Sequence, residues 1–193
     1  MAQYSPLSTT PHGLIRLCTR RDRPTPRRYH CPVARIAILT LSDKAAASER
    51  ADTSGDRVAA RIQETGHTLA ARELLPDDRV AIAERLRAWC DGGIADVIVT
   101  TGGTGLTARD VTPEATMDIA EREVPGLVLA LHLEGLKKTP YAVLSRGVAV
   151  TRSATLIVNL PGNPKAVDEG MDVLLPLVPH IAELLAGPVE HDS

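Results

Sequence analysis

Aromatic side chains are nearly missing from this chain of 193 residues, which has no Phe, one Trp and three Tyr. Proteins that bind single-stranded nucleic acid rely on aromatic rings on which the bases stack. The formal net charge of −2 also lacks the excess of Lys and Arg that is typical of a nucleic-acid-binding domain. We therefore expect no nucleic-acid partner, and a core built from Leu, Val, Ile and Ala.

Long hydrophobic runs are missing too. No stretch approaches the roughly 20 apolar residues of a membrane-spanning helix, and no apolar segment of the kind found in signal peptides is present. The cysteines Cys18, Cys31 and Cys90 are widely separated and odd in number, which is typical of a reducing compartment and not of a disulfide framework. We expect a soluble, cytoplasmic protein without a membrane contact.

Residues 1–33 differ in composition from the rest of the chain. They contain six arginines against one aspartate, five prolines and no sustained hydrophobic periodicity, a pattern that predicts disorder. Residues 34–187 are long enough for one ordinary domain, and residues 188–193 form a short polar tail. Whether the extension is a transit peptide, a tail or the result of a misassigned start stays open.

The most informative segment is residues 97–116, VIVTTGGTGLTARDVTPEAT. A short β-branched run ends in a turn with three glycines in four positions, and such a turn tolerates positive φ and can aim backbone N–H groups at an anion. The candidate phosphate-binding residues are Thr101, Gly102, Gly103, Thr104 and Gly105. The spacing fits neither a dinucleotide-binding loop nor a P-loop, and a bare Gly-Gly-x-Gly is about as often only a tight turn.

An acidic residue follows this turn. Asp110 precedes Thr112, Pro113 and Glu114, which predict a helix start with a Thr cap, Pro in the first turn and a favourable negative charge. The Asp110 carboxylate is therefore expected between an anion-binding turn and a helix N-terminus.

Strands and helices alternate along residues 35–185. Strands are predicted at 35–41, 68–75 and 95–100 and twice between 147 and 158. Helices are predicted at 54–64, 78–90, 112 to about 123, from 125 onward, and 164–185. This order predicts an α/β three-layer sandwich: a mostly parallel sheet with helices on both faces. Ligands of such sheets bind at the carboxyl ends of the strands.

Further polar residues follow the other predicted strands at that edge: Ser42 and Asp43, Pro76 and Asp77, and Asn159, Pro161, Gly162 and Asn163. They predict a shared crevice. Two carboxylates, Asp77 and Asp110, beside a phosphate site require a divalent cation, and Mg²⁺ favours a few carboxylates together with substrate phosphates. The alternatives are a turn and helix cap for Asp77 and for Asp43, and a turn for residues 161–164.

Three ordered blocks resemble the motifs of the MogA/MoaB family, the molybdopterin-binding domains of molybdenum cofactor synthesis. They are residues 97–116, residues 156–165 and Leu144-Ser145-Arg146, and the likeness extends over residues 35–187. The resemblance implies the family's molybdopterin-binding-domain fold. It also implies a homotrimer and a hand-over of the product to a molybdate-inserting enzyme.

Enzymes of this family adenylylate molybdopterin with ATP and release pyrophosphate. The resemblance implies Asp77 and Asp110 as the catalytic, Mg²⁺-binding pair, Ser145 and Arg146 as anion contacts, and Asn159, Gly162 and Asn163 as a pocket wall. Alternatives are a cap and a surface ion pair for Ser145 and Arg146. Arg109 either contacts a phosphate or pairs with Asp110. A non-catalytic molybdopterin-binding or scaffold protein of the same fold is the alternative function, and the retained aspartate pair favours the enzyme.

Overall fold

A computed structural model describes residues 33–187 of the chain. The predictions for the extension at residues 1–33 and for the tail at residues 188–193, with Cys18 and Cys31, concern residues outside this range, apart from Val33.

Six strands form one sheet in the order β2-β1-β3-β6-β5-β4. Their bounds are β1 Arg35–Leu41, β2 Thr68–Leu75, β3 Val97–Thr101, β4 Arg122–Glu123, β5 Ala149–Arg152 and β6 Thr155–Leu160. The first four strands in the sheet order are parallel, whereas β5 runs antiparallel to both of its neighbours. The predicted mostly parallel sheet is confirmed.

Helices cover both faces of this sheet. Their bounds are α1 Asp43–Ala46, α2 Thr53–Glu64, α3 Arg79–Asp91, α4 Thr112–Met117, α5 Pro125–Leu136, α6 Pro164–Leu174 and α7 Val178–Leu185, with 3₁₀ turns at Pro140–Leu144 and Leu175–Leu177. Within residues 33–187, no helix combines the length and apolarity needed to cross a membrane.

Alternating side chains of the central strands feed two separate cores. In β1, Ile36 and Ile38 join the core under α2, α5, α6 and α7, whereas Ala37 and Leu39 join the core under α3 and α4. Because a central parallel strand is covered on both faces, it reads as a continuous apolar run. The predicted three-layer sandwich is confirmed.

The register brings the carboxyl ends of four strands together. Thr40 of β1 pairs with Leu74 of β2 and with Thr101 of β3, and Thr101 pairs with Leu160 of β6. The chain places β2 on one side of β1 and β3 on the other, so the crevice between the ends of β1 and β3 is a topological switch point. Such a crevice is where open α/β sheets bind ligands.

Three short elements differ from the sequence prediction. The helix expected to reach residue 123 ends at Met117, because the backbone of residues 121–124 bonds to the edge of β5 instead. Helix α1 and the 3₁₀ turn at Pro140–Leu144 lie in stretches for which no separate helical element was predicted. Four or five residues are too few for a helical period to be visible.

Candidate functional site

The turn after β3 requires its glycines. Gly102 and Gly103 have φ of 102° and 62°, and a Cβ on Gly102 would overlap the Leu41 carbonyl oxygen at the end of β1. Within residues 33–187 the amides of Gly103 and Thr104 have no hydrogen-bond acceptor. We expected the Gly102 amide to contact a phosphate, but it donates to the Leu160 carbonyl at 3.2 Å. Two N–H groups of this turn are therefore free to bind an anion.

The start of α4 fastens the turn. The Thr112 hydroxyl donates to the Gly102 carbonyl at 2.9 Å, and the Thr112 amide donates to the Gly103 carbonyl at 3.1 Å. Thr112 is thus not the predicted N-cap. That position is Val111, which makes no side-chain cap bond. The buried Thr112 side chain instead gives the Gly-rich turn a fixed shape.

Asp110 lies at the mouth of the turn. Its Oδ2 accepts the amide of Thr107 at 2.8 Å and the Thr107 hydroxyl at 2.6 Å. Burial acts to raise the pKa of Asp110, but these hydrogen bonds and the nearby Arg146 outweigh burial, so the pKa lies below its ordinary value. The carboxylate is therefore ionised at neutral pH.

Asp77 is held in place by hydrogen bonds to Asp43, which lies in the segment after β1. Its Oδ2 accepts the Asp43 amide at 3.0 Å, and the Asp77 amide donates to Asp43 Oδ1 at 3.0 Å. Its Oδ1 is buried without a partner among residues 33–187, and a Cβ on Gly103 would lie 2.9 Å from that atom. Burial raises the pKa of Asp77, and the charges of Asp43 and Asp110 add to the rise. An unpartnered buried carboxylate oxygen is a site for a cation or donor.

Arg109 was expected either to contact a phosphate or to pair with Asp110. In the structure it pairs with Asp43 instead. Its guanidinium donates to both Asp43 oxygens at 2.6 to 2.9 Å and holds the pKa of Asp43 below its ordinary value. Ser42 caps α1 by accepting the Ala45 amide at 3.2 Å. Ser42 is thus the N-cap of α1, whereas Asp43 begins that helix and pairs with Arg109 instead of capping it. Asp43 also links Asp77 to the loop that carries Asp110.

Arg146 does not present a free charge to a ligand. Its guanidinium donates to the carbonyls of Gly105, at 2.7 Å, and Asp110, and it pairs with the Glu114 carboxylate. We expected Arg146 to contact an anion, with an ion pair as the alternative. In the structure it forms the ion pair and links the Gly-rich turn, through Gly105, to Glu114 of α4. Ser145 stays half-buried beside the turn, with its hydroxyl 3.5 Å from that of Thr104.

The segment after β6 completes the site mostly by packing. The buried Asn159 amide donates to the hydroxyls of Thr100 and Thr116 at 2.9 and 3.0 Å, and the Pro161 carbonyl accepts the Thr101 hydroxyl at 2.9 Å. We expected Thr101 to contact the substrate, but its side chain is fully buried. A Cβ on Gly162 would lie 3.2 Å from the Gly102 Cα, so the two loops touch.

A pocket of about 580 Å³ opens beside these loops. Ten predicted residues line it: Gly102, Gly103, Thr104, Gly105, Asp110, Ser145, Asn159, Pro161, Gly162 and Asn163. Arg50, Thr139 and Glu169 are polar lining residues that were not predicted. Asp77, Asp43 and Arg146 lie behind this surface and do not line it. Asn163 mainly caps α6, where it accepts the Lys165 amide at 3.1 Å.

The opposite wall is apolar and was not foreseen. It is formed by α5 and the 3₁₀ turn after it: Val128, Leu131, His132, Gly135, Tyr141, Ala142 and Leu144. The apolarity of the helix after Pro125 was the available signal, but core packing or a subunit interface explains that pattern equally well. The pocket thus joins a polar edge with a Gly-rich turn to an apolar wall, a combination that is typical of small-molecule sites.

The sequence matches the family described as a probable molybdopterin binding domain over residues 37–180. The chain belongs to this molybdopterin-binding domain family. It is 36% identical over 154 residues to the molybdopterin adenylyltransferase of Helicobacter pylori strain J99, covering 79% of this chain and 88% of that enzyme.

Two other members of the family extend the comparison. The molybdenum cofactor synthesis protein cinnamon of Drosophila melanogaster is 42% identical over 155 residues, or 80% of this chain, but the chain spans only 26% of that protein. The crystal structure of the molybdopterin biosynthesis enzyme MoaB from Thermus thermophilus superposes with a TM-score of 0.75 at 47% identity, covering 80% of this chain and 98% of that one.

Proposed function

We propose that this protein is a molybdopterin adenylyltransferase. An oxygen of the molybdopterin terminal phosphate attacks the α-phosphorus of ATP, the bond from that phosphorus to the bridging oxygen breaks, and pyrophosphate leaves. The Helicobacter pylori relative that bears this name is covered over 88% of its length. The single observation that carries the proposal is the unpartnered, buried Asp77 Oδ1 beside a turn with two free amides and Asp110.

Residues of this chain position the reactants in the proposed reaction. The amides of Gly103 and Thr104 bind a phosphate at the turn, and the apolar wall of α5 receives the ring system. Phosphoryl-type transfer needs little covalent participation from a protein, so holding the two phosphates in line supplies most of the rate. We assign Asp110 to aligning them.

Mg²⁺ fits the carboxylate pair. Asp77 Oδ1 is a hard oxygen without a partner in the described chain, and Asp110 is close enough to raise the pKa of Asp77. Among residues 33–187 no group of three or more His, Cys, Asp or Glu side chains converges, so phosphates and water would provide the other ligands, as is usual for Mg²⁺. Bound there, the ion would neutralise phosphate charge.

The direct test is adenylylation by the full chain. Incubation with molybdopterin and Mg-ATP, without molybdate, is expected to give adenylyl-molybdopterin and one pyrophosphate per product, measured by chromatography and a coupled pyrophosphate assay. A reaction with an active family member runs beside it. Lack of product while that control reacts would overturn the proposal.

A binding-only role is the second candidate. It is favoured by the position of Asp77, which lies behind Gly103 and outside the lining of the pocket. Saturable molybdopterin binding with no ATP-dependent product would establish this role.

We also propose that the chain forms a trimer through α5. Leu129 and Leu133 expose 59% and 55% of their surface although the helix is almost wholly apolar, and Tyr141 and Val143 beside it are also exposed. Contiguous exposed apolar surface marks an interaction site. The product lacks a metal, so the hand-over partner that we propose is a molybdate-inserting enzyme.

Leu133→Lys is expected to weaken this association about tenfold or more, because it removes the burial of a leucine side chain and brings a charge into the interface. Light scattering of the full chain at several concentrations measures the change. The control is Leu184→Lys, which alters a leucine of α7 that is somewhat more exposed than Leu133. A monomeric wild-type protein at micromolar concentration would contradict the proposal.

A further inference from the structure

A second, smaller cavity adjoins the large pocket. It measures about 140 Å³ and lies at the end of β1 and the start of α2, where it is lined by Thr40, Leu41, Ser42, Ala45, Arg50, Ala51, Asp52, Thr53, Ser54 and Gly162. We call it the small pocket. Arg50 and Gly162 line both cavities, so the two are neighbours across the loop that carries Arg50, residues 47–52.

The acidic side chain of the small pocket is turned to internal partners. Asp52 accepts the Gly55 amide at 2.8 Å, the Thr40 hydroxyl at 3.0 Å and the Arg72 guanidinium at 2.7 Å. Because Arg72 also pairs with Asp56 at 2.7 Å, it offsets only part of the charge of Asp52, so an anion in the small pocket needs a further cation. Ser42, Thr53 and Ser54 add hydroxyl groups to the lining, beside the apolar Leu41, Ala45 and Ala51.

Arg50 is the cationic side chain that lines both cavities. Within residues 33–187 it makes no ion pair, whereas the arginines nearest the site, Arg72, Arg109 and Arg146, all do. An arginine presents several N–H donors in a fork that matches phosphate oxygens. The position of Arg50 is therefore suited to an anion that extends from one cavity into the other.

The size of the small pocket limits its ligand. A volume of about 140 Å³ corresponds to roughly four or five water molecules, which is about the size of one phosphate group. A second phosphate would lie at the junction with the large pocket, beside Arg50. Gly162, which lines both cavities, lies against Gly102 of the Gly-rich turn that lines the large pocket. A phosphate chain is the ligand class that fits a narrow polar cavity with one guanidinium at its entrance.

We propose that the small pocket and its junction with the large pocket receive the β- and γ-phosphates of the nucleoside triphosphate, and afterwards the leaving pyrophosphate, with Arg50 as their cationic contact. This rests on the proposed adenylyltransferase function. Arg50 is thus a specificity-determining residue, since it distinguishes a triphosphate from a monophosphate.

The test is direct binding of pyrophosphate with Mg²⁺ to the full chain, measured by calorimetry. Arg50→Ala is expected to weaken pyrophosphate about tenfold, as for the loss of one charged hydrogen-bond donor, and Arg50→Lys less, because a point charge keeps part of the attraction. AMP and molybdopterin are expected to bind as before. Arg87→Ala, which removes an exposed arginine of α3 away from both cavities, is the matched control.

Unchanged pyrophosphate binding in Arg50→Ala, or no pyrophosphate binding by the wild-type chain, would overturn the proposal. So would an equal loss of AMP or molybdopterin binding, because Arg50 would then contact a different phosphate. A wild-type chain that binds pyrophosphate through Arg50 but gives no adenylyl-molybdopterin would refute the proposed enzyme activity and leave the anion site standing.

Discussion

Asp110→Asn is expected to reduce adenylylation by at least about 10²- to 10³-fold, the usual effect of removing a charged group that stabilises a transition state. The substitution keeps the shape of the side chain and an oxygen that can still accept the amide and hydroxyl of Thr107. The Gly-rich turn should therefore stay in place. Only the negative charge is lost, so molybdopterin binding is expected to persist while turnover fails.

The measurement separates kcat from the molybdopterin Kd on the same preparation. Asp118→Asn is the matched control, because Asp118 also carries a pKa lowered by its hydrogen bonds, here from Arg79, but lies at the end of α4 and outside the pocket. Full activity in Asp110→Asn would remove Asp110 from the mechanism. Loss of molybdopterin binding instead would make it a substrate contact.

The sequence was sufficient for the sheet and for the edge that carries the site. The run at residues 97–101 is buried throughout, as its unbroken apolarity predicts. Because parallel strands end at one edge, residues that follow β1, β3 and β6 had to lie close together. The contact of Gly162 with Gly102 is the direct result.

The partners of the charged side chains were beyond sequence reasoning. Arg109 and Asp43 are 66 residues apart, and Arg146 reaches Gly105 across 41. Periodicity and turn chemistry describe local structure only, so they cannot assign an arginine to one of several carboxylates. The same limit hid the position of Asp77 behind Gly103, where its Oδ1 stays without a partner in the described chain.

The apolar wall was missed for a different reason. Helix α5 is apolar around its whole circumference, and such a helix is compatible with a core, an interface or a ligand wall. It serves more than one of these: Leu127 is in the core, Leu131 lines the pocket and Leu133 is exposed. Only the position of the helix against the Gly-rich turn assigns each face its role.

Gly102→Ala is expected to lower the free energy of unfolding by on the order of 3 kcal/mol, the largest stability effect that we predict. Gly102 has a φ of 102°, which an L-residue with a Cβ rarely adopts. The added methyl would also overlap the Leu41 carbonyl. That carbonyl belongs to a buried central strand, so it has little room to move away.

Two other glycines separate the strain from the overlap. Gly66 also has a positive φ, of 74°, but a Cβ there meets no atom within 4 Å. Gly66→Ala should therefore cost only about 1 kcal/mol. Gly126 has neither feature, so Gly126→Ala should be close to neutral. Urea unfolding at one protein concentration, since association adds to stability, measures all three.

The ranking of these variants decides whether the ends of β1 and β3 are as tightly joined as the structure has them. If Gly102→Ala costs no more than Gly66→Ala, the end of β1 yields easily and the crevice is not rigid. If Gly102→Ala has the expected large cost, the amides of Gly103 and Thr104 are held by the core itself. The anion site is then preorganised, because the glycine that permits the turn also permits the close packing of the sheet.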